Sequence, residues 1–161
     1  MIDLRTITYI QSEAEFNRAR SKGFWEIMLS LVTRRRPHLL PLDELARNIQ
    51  PEQVTYLGLQ DVPLKNIVGS AGRHRDYTQR FFPCVSDERS KERWRLIYTL
   101  AVSGAGFPPI EVYQWGDVYF VQNGHHRVSV AAHLGWSVIQ ARVTLLPAPF
   151  PADVPFTQQL H

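Results

Sequence analysis

The first third of the chain places apolar side chains at mostly helical spacing. Between residues 13 and 33 they recur near the period of a helix, at Phe16, Ala19, Phe24, Ile27, Met28 and Leu31. This pattern predicts a helix. The preceding residues 12–15, SEAE, have the form of a capping box, so we place the helix start there. Gly23 marks a point where the helix would divide, and Pro37 ends it. A shorter helix is predicted over residues 42–48.

The pattern changes in the rest of the chain. Short apolar runs bounded by glycine or proline predict strands, and longer runs of helical period predict helices. The predicted order is strand 62–68, helix 91–103, hairpin 110–122, helix 125–134 and strand 137–146. Helices that precede a small mixed sheet with further helices packed on it indicate an α+β fold. We expect residues 1–61 to form a helical extension packed on the core, residues 62–146 to form that core, and the proline-rich residues 147–161 to form a tail.

Composition narrows the class of protein. With 161 residues, 44% of them hydrophobic and 20% charged, the chain fits one globular domain and is too apolar for a disordered segment. Its 18 basic and 15 acidic residues give a net charge of +3, which permits an anionic partner without requiring a nucleic acid. Cys84 is the single cysteine, so neither an intrachain disulfide nor a cysteine zinc site can form, and we expect a reducing compartment, the cytoplasm. No apolar run nears the ~20 residues of a membrane span, and the first residues lack the pattern of a signal peptide.

The stretch FVQNGHHRVSVAAHLG, residues 120–135, carries the main candidate site. An apolar strand leads through Gly124 into a helix of small residues, and a helix start offers unpaired amide donors and a partial positive charge. Gly124 would let an anion approach those donors, and Arg127 could bind a phosphate through two hydrogen bonds. We therefore predict that Gly124, His125, His126 and Arg127 bind phosphate.

A second glycine-rich segment, GSAGR at residues 69–73, is predicted to complete this site. Its small residues allow backbone amides to face an anion, and its arginine adds positive charge. The predicted contacts in this segment are Gly69, Ser70, Gly72 and Arg73.

The same residues admit plainer interpretations. Gly124 could serve only as a turn residue and Arg127 as a surface charge, and the GSAGR segment could be a flexible basic loop. Adjacent histidines on a helix diverge, so His125 and His126 are not expected to share a metal ion. A site that joins His126 to His74 or Asp76 stays open as an alternative, although we predict no metal site.

Order, spacing and motif together make residues 108–143 resemble the ParB/sulfiredoxin superfamily. At the motif, ParB-like domains carry G-E-R-R and sulfiredoxins carry G-C-H-R, where this chain has Gly124-His125-His126-Arg127. VPLKNIV and the arginine-bearing loop after it resemble the first conserved box of ParB-like domains. The resemblance implies a pocket for CTP or ATP, accompanied by Mg²⁺, in which Gly124, His126 and Arg127 bind the phosphates. His125 takes the place of the sulfiredoxin cysteine, and an imidazole cannot form the sulfur intermediate of that reaction.

Three functions follow as hypotheses. We favour a stand-alone, regulatory ParB-like domain that binds a nucleotide or another phosphate-bearing ligand. The second hypothesis is a nuclease or phosphotransferase with His125 or His126 as general base, because histidine titrates near neutral pH. The third is a DNA-binding or scaffold protein with a vestigial nucleotide site, in which Arg34 to Arg36 contact DNA phosphates. A nucleotide is thus the expected partner, DNA is the alternative, and no membrane is expected.

Overall fold

The elements of the fold follow the predicted α+β order. The structure, a computed structural model, describes residues 2–85 and 87–147. Its helices are α1 (Leu4–Thr33), α2 (Leu42–Leu45), α3 (Glu88–Val102) and α4 (His125–His133). Its strands are β1 (Leu40–Pro41), β2 (Thr55–Pro63), β3 (Ile67–Ser70), β4 (Ile110–Trp115), β5 (Val118–Asn123) and β6 (Val138–Leu145). The α+β class is confirmed.

Six strands form one mixed sheet in the order β1-β3-β5-β4-β6-β2. The pairs β1–β3, β3–β5 and β4–β6 are parallel, and the pairs β4–β5 and β2–β6 are antiparallel. The predicted hairpin is confirmed as β4 and β5. The antiparallel β2–β6 ladder runs from Thr55 opposite Leu145 to Pro63 opposite Val138, so the predicted boundary between residues 61 and 62 falls inside β2.

The predicted strand over residues 62–68 is wrong. Its first two residues end β2, residues 64–66 form a 3₁₀ turn, and β3 starts only at Ile67. Pro63 has no amide hydrogen with which to extend a ladder, and the amide of Leu64 instead donates to the Ser137 carbonyl (3.0 Å). The apolar run therefore serves two strands on different parts of the sheet.

Helices are stacked on one face of the sheet in successive layers. Val128 and Ala131 of α4 are fully buried against that face. Helix α3 lies on α4, where the Trp94 indole nitrogen donates to the Ser129 hydroxyl (3.0 Å). Helix α1 lies outermost, and Phe16 meets the Trp94 ring edge-on at 5.5 Å. The opposite sheet face is covered by α2 and the loop after it.

Helix α1 begins earlier than the capping box predicted. Ser12 lies inside the helix, where its hydroxyl donates to the Tyr9 carbonyl (2.5 Å) and accepts from Arg95 of α3 (3.0 Å). Ser12 therefore forms one hydrogen bond inside α1 and one with α3, and it does not cap a helix start. Gly23 does not divide the helix either. A Cβ at Gly23 would lie 2.9 Å from the Pro83 carbonyl oxygen, so this glycine allows the 82–83 segment to pack closely on α1.

The remaining helices match their predictions except at their ends. Helix α2 stops at Leu45 rather than at residue 48. Helix α3 begins three residues early because the Asp87 carboxylate accepts a hydrogen bond from the Ser90 amide (3.0 Å) and caps it. Helix α4 ends before Gly135, which has the positive φ (75°) expected of a glycine after a helix. In the predicted tail, residues 148–161 lie outside the described residues. Within residues 2–85 and 87–147, no helix is both long and apolar enough to cross a membrane.

Candidate anion-binding site

The site lies where β5 passes into α4. Gly124 takes a left-handed conformation (φ 105°) that turns the chain sharply into the helix. Within the described chain no side chain caps this end, so the first amides of α4 keep their hydrogen-bonding capacity for another group. The helix is anchored beneath by Val128, Ser129 and Val130, which are fully buried. The glycine motif is thus a fixed start of a helix.

A cavity of about 700 Å³ opens in front of this helix start. Its charged lining consists of three arginines, Arg73 from the loop after β3, Arg93 from α3 and Arg127 from α4. The two histidines of the motif, with Gln122, Asn123 and Gly124, complete the polar part. No aspartate or glutamate is among the described residues that line the cavity. An excess of positive charge of this kind, next to free amides, attracts anions.

Arg127 is placed differently from the sequence prediction. One of its terminal nitrogens, Nη1, donates to the carbonyls of Pro108 (3.0 Å) and Pro109 (2.7 Å). The guanidinium therefore holds the segment that leads into β4, and this nitrogen is not free for the predicted two-bond contact to phosphate. Burial lowers the pKa of Arg127, and nearby Glu111 opposes that shift. Arg127 therefore stabilises the fold through these hydrogen bonds and also contributes positive charge to the cavity lining.

The packing of Gly124 against a neighbouring strand also requires glycine at this position. A Cβ at this position would lie 2.6 Å from the Cγ2 atom of Ile110, a core residue that is fully buried. From the sequence, we expected glycine here so that an anion could approach. In the structure, Ile110 of the neighbouring strand β4 also approaches this position closely, and the φ of Gly124 favours glycine.

His125 is a buried residue of the site wall, only 5% exposed. Its Nε2 is hydrogen-bonded to the Ser70 hydroxyl at 2.6 Å, and that hydroxyl also accepts from the Arg73 amide at 3.1 Å. Its ring stacks on Tyr77 with centroids 6.0 Å apart. Burial, reinforced by the charges of Arg73 and His126, lowers the pKa of His125 to about 4. These contacts join α4 to the end of β3.

His126 carries an unmatched polar atom. The residue is 8% exposed, and its Nε2 is buried without a hydrogen-bond partner among the described residues. Burial is again the main cause that lowers its pKa to about 4, followed by the charges of Arg73 and Arg93, while Asp87 opposes the shift. A buried polar atom without a partner is costly. An incoming group that hydrogen-bonds to this ring would recover that cost.

The glycine-rich segment 69–73, which ends β3 and begins the following loop, contributes one of its four predicted contacts to the cavity. Arg73 lines it and also makes a long ion pair with Asp76 (3.9 Å). Ser70 is fully buried and acts through His125. Gly69 is packed so tightly that a Cβ would collide with the Leu40 carbonyl and the Phe120 ring. Gly72 has a positive φ (108°) with no atom near its missing Cβ, and it does not line the cavity.

Helix α3 contributes residues to the cavity that the sequence pattern did not predict. Arg93 supplies one of the three guanidinium groups, and an apolar wall beside it comes from Leu96, Ile97, Leu100 and Phe107. The three α3 residues of that wall follow Arg93 by three, four and seven positions, so all four lie on one face of the helix. This spacing is present in the sequence, but only the packing of α3 on α4 shows that this face lines the cavity.

The alternative metal site is not assembled among the described residues. Within residues 2–85 and 87–147, no group of three or more histidine, cysteine, aspartate or glutamate side chains could hold a metal ion. Cys84 does not line the cavity, and burial raises the pKa of its thiol to about 11. The thiol is therefore protonated near neutral pH and is a poor nucleophile.

No family model matches the chain, and no curated protein matches it. Among solved structures, the chain is similar to sulfiredoxin from Arabidopsis thaliana, with 20% sequence identity and a TM-score of 0.38. The match covers 53% of this chain and 82% of that one. A likeness of this size carries no inference about the site, which is described by its own geometry.

Proposed function

We propose that this protein binds a nucleotide or another phosphate-bearing ligand in the cavity at the start of α4. The observation that carries the proposal is the convergence of three arginines and an uncapped helix start on a cavity whose described lining contains no carboxylate. Charge-assisted hydrogen bonds from such groups contribute about 1.5–3 kcal/mol each. Three of them would contribute about 4.5–9 kcal/mol, a range that includes the roughly 8 kcal/mol of micromolar affinity.

The apolar wall supports a ligand that carries an uncharged part beside its phosphates. The cavity volume of about 700 Å³ lies within the range of ordinary small-molecule pockets, about 300–1,000 Å³. Phosphates would sit against the helix start and the arginines, and an uncharged, flat or apolar group would lie against Ile97, Leu100 and Phe107. A nucleotide has both parts, whereas inorganic phosphate has one. We therefore expect a nucleoside phosphate to bind more tightly than phosphate alone.

The described lining of the cavity offers no carboxylate ligand for the expected Mg²⁺. Magnesium prefers carboxylate oxygens, and the cavity lining within the described chain offers none. The positive charge that a metal would bring to the phosphates is already supplied by the arginines. We therefore propose that ligand binding does not depend on Mg²⁺.

The histidines are better suited to binding than to catalysis. A general base works best when its pKa is close to the working pH, and the pKa values of His125 and His126 are lowered to about 4. The Nε2 atom of His125 is also occupied by Ser70. A site that binds a ligand without a general base fits a regulatory role better than hydrolysis.

Thermal unfolding in the presence of ligands tests the proposal. A ligand at 100 times its Kd adds about 2.7 kcal/mol to the free energy of unfolding, or roughly 5–10 °C in Tm for a chain of this size. The screen should include ATP, CTP, GTP, AMP and inorganic phosphate, each with MgCl₂ and with EDTA. We expect at least one nucleotide to raise Tm to the same extent in both buffers. The proposal fails if no phosphate compound at millimolar concentration changes Tm.

Matched arginine variants locate the binding. Arg93 lines the cavity and Arg89, on the exposed part of the same helix, does not. We expect Arg93→Ala to weaken the ligand about 10- to 150-fold, as loss of 1.5–3 kcal/mol implies, while Arg89→Ala leaves its affinity unchanged. Arg127→Ala is a poor probe, because it also removes contacts that hold the fold. Equal affinities in the Arg93 and Arg89 variants would place the ligand elsewhere.

A further inference from the structure

Helix α1 carries apolar side chains on the face that points away from the protein. Phe16, Ala19 and Gly23 form its buried stripe. At 100° per residue, the face opposite that stripe presents Trp25, Met28, Leu29 and Val32. Their exposed fractions run from 43% to 81%. Single exposed apolar residues are ordinary, but a contiguous patch on one helix face marks an interaction surface.

Beside this exposed apolar face of α1 lies a groove of about 630 Å³, formed by the second half of α1 and residues 79–82. Its apolar lining includes Trp25, Leu29 and Phe82, and its basic lining includes Arg35, Arg36 and Arg80. The groove is separate from the cavity at α4, since the two have no lining residue in common. Because its lining is both apolar and basic, the groove fits a partner that carries apolar side chains and negative charge.

The charge of the groove is not neutralised within the described part of the chain. Glu26 is the carboxylate in its lining, and both of its oxygens are engaged, by the Thr78 hydroxyl (2.6 Å) and by the Arg80 amide (3.2 Å). Across residues 2–85 and 87–147, the guanidinium groups of Arg35, Arg36 and Arg80 take part in no ion pair. The rim therefore favours an acidic occupant.

We propose that this groove binds an acidic polypeptide segment whose apolar side chains insert between α1 and residues 79–82. A second copy of this chain fits poorly, because it would bring the same arginines against one another. A duplex or a flat bilayer cannot enter a concave groove, whereas a helix with leucine-like side chains fills grooves in this way.

A synthetic peptide of 18 residues tests the proposal, with leucines at the helical spacing i, i+3, i+4, i+7 and glutamates elsewhere. A matched peptide with lysines in place of the glutamates is its control. Fluorescence anisotropy of the labelled peptides at 50 mM salt should show the acidic peptide binding at least tenfold more tightly than the basic one. Both Leu29→Ala and the pair Arg35→Ala/Arg36→Ala should weaken the acidic peptide at least tenfold. Arg142→Ala, an exposed arginine on β6, should leave it unchanged.

Three results would overturn the assignment. The first is equal binding of the two peptides, and the second is binding that neither set of variants changes. The third is tighter, Arg35- and Arg36-dependent binding of a single-stranded oligonucleotide or of anionic phospholipid vesicles, which would replace the polypeptide by that partner. The substituted side chains are exposed, so a Tm within about 2 °C of the parent protein should confirm that each variant is folded.

Discussion

Acidification should destabilise this protein through the buried histidines of the α4 motif, and His126 offers the clearest test. Its pKa is lowered to about 4 in the folded protein, mainly by burial, whereas an unfolded chain has the ordinary value of 6.5. Between these two values the unfolded state binds more protons than the folded one. The contribution of neutral His126 to stability is therefore fully present above pH 6.5 and is lost as the pH falls towards 4.

The size of the loss follows from the two pKa values. One pKa unit corresponds to 1.36 kcal/mol, so linkage predicts a loss of about 2 kcal/mol at pH 5 and about 3 kcal/mol at pH 4 from His126 alone. His125, whose pKa is also lowered to about 4, should add a similar amount. Domains of this kind have about 5–15 kcal/mol in total, so the effect is large enough to measure.

Urea denaturation at half-unit steps from pH 7.5 to pH 4.5 measures this loss. The His126→Gln variant removes one titrating group, and we expect its free energy of unfolding to fall about 2 kcal/mol less than that of the parent between pH 7.5 and pH 5. His74→Gln removes an imidazole that does not line the cavity, so it serves as the control for loss of a histidine elsewhere in the chain. Burial also lowers the pKa of His133, but that group is present in all three proteins and cancels from the comparison.

Three carboxylates also contribute to the acid sensitivity of the protein. Hydrogen bonds to Lys91, His133 and Ser90 are the leading causes that lower the pKa values of Glu13, Glu15 and Asp87, so the stability that these groups contribute is lost on acidification. Because they are present in all three proteins, they cancel from the comparison. Identical pH profiles for the parent and His126→Gln would refute the assignment of a depressed pKa to His126.

Two further predictions concern the frame of the site. Arg127→Ala deletes the bonds to two proline carbonyls and should lower the free energy of unfolding by about 2 kcal/mol, or Tm by roughly 4–8 °C; calorimetry that finds Tm unchanged would show that these bonds do not hold the fold. Gly124→Ala and Gly72→Ala both place a Cβ on backbone of nearly equal φ, 105° and 108°. The first also strikes Ile110, so it should cost about 2 kcal/mol more in urea denaturation, and equal losses would show that this contact is relieved without cost.

Local signals in the sequence predicted the elements that depend on neighbours along the chain. The β4–β5 hairpin turns at residues 116–117, and α4 lies between Gly124 and Gly135, as expected. Strand β2 was missed because its residues are mostly exposed and show little alternation, and its partner β6 lies about eighty positions away. The capping box failed for a related reason. Ser12 has a partner on α3 that no local pattern reveals.

The G-H-H-R motif and Arg73 were predicted to lie together, but their contacts were not predicted, and phosphate binding at this place stays a prediction. The G-H-H-R motif and Arg73 do meet at one cavity, because a strand that leads through glycine into a helix fixes that corner of a sheet. The sequence could not show that Arg127 reaches back to the carbonyls before β4, or that Ser70 serves the site by holding His125. Arg93 was missed because its role depends on how α3 lies across α4.

The electrostatics of the cavity connects these observations to function. Arg73, Arg93 and Arg127 all act on His126 in the direction that disfavours its protonation, while Asp87, which does not line the cavity, opposes them. Holding three like charges around one cavity costs free energy, and part of that cost is recovered when an anion enters. Burial is the main cause that makes both histidines poor bases at neutral pH, and the charge of Arg73 adds to it. We therefore expect this cavity to bind an anion rather than to support general-base catalysis.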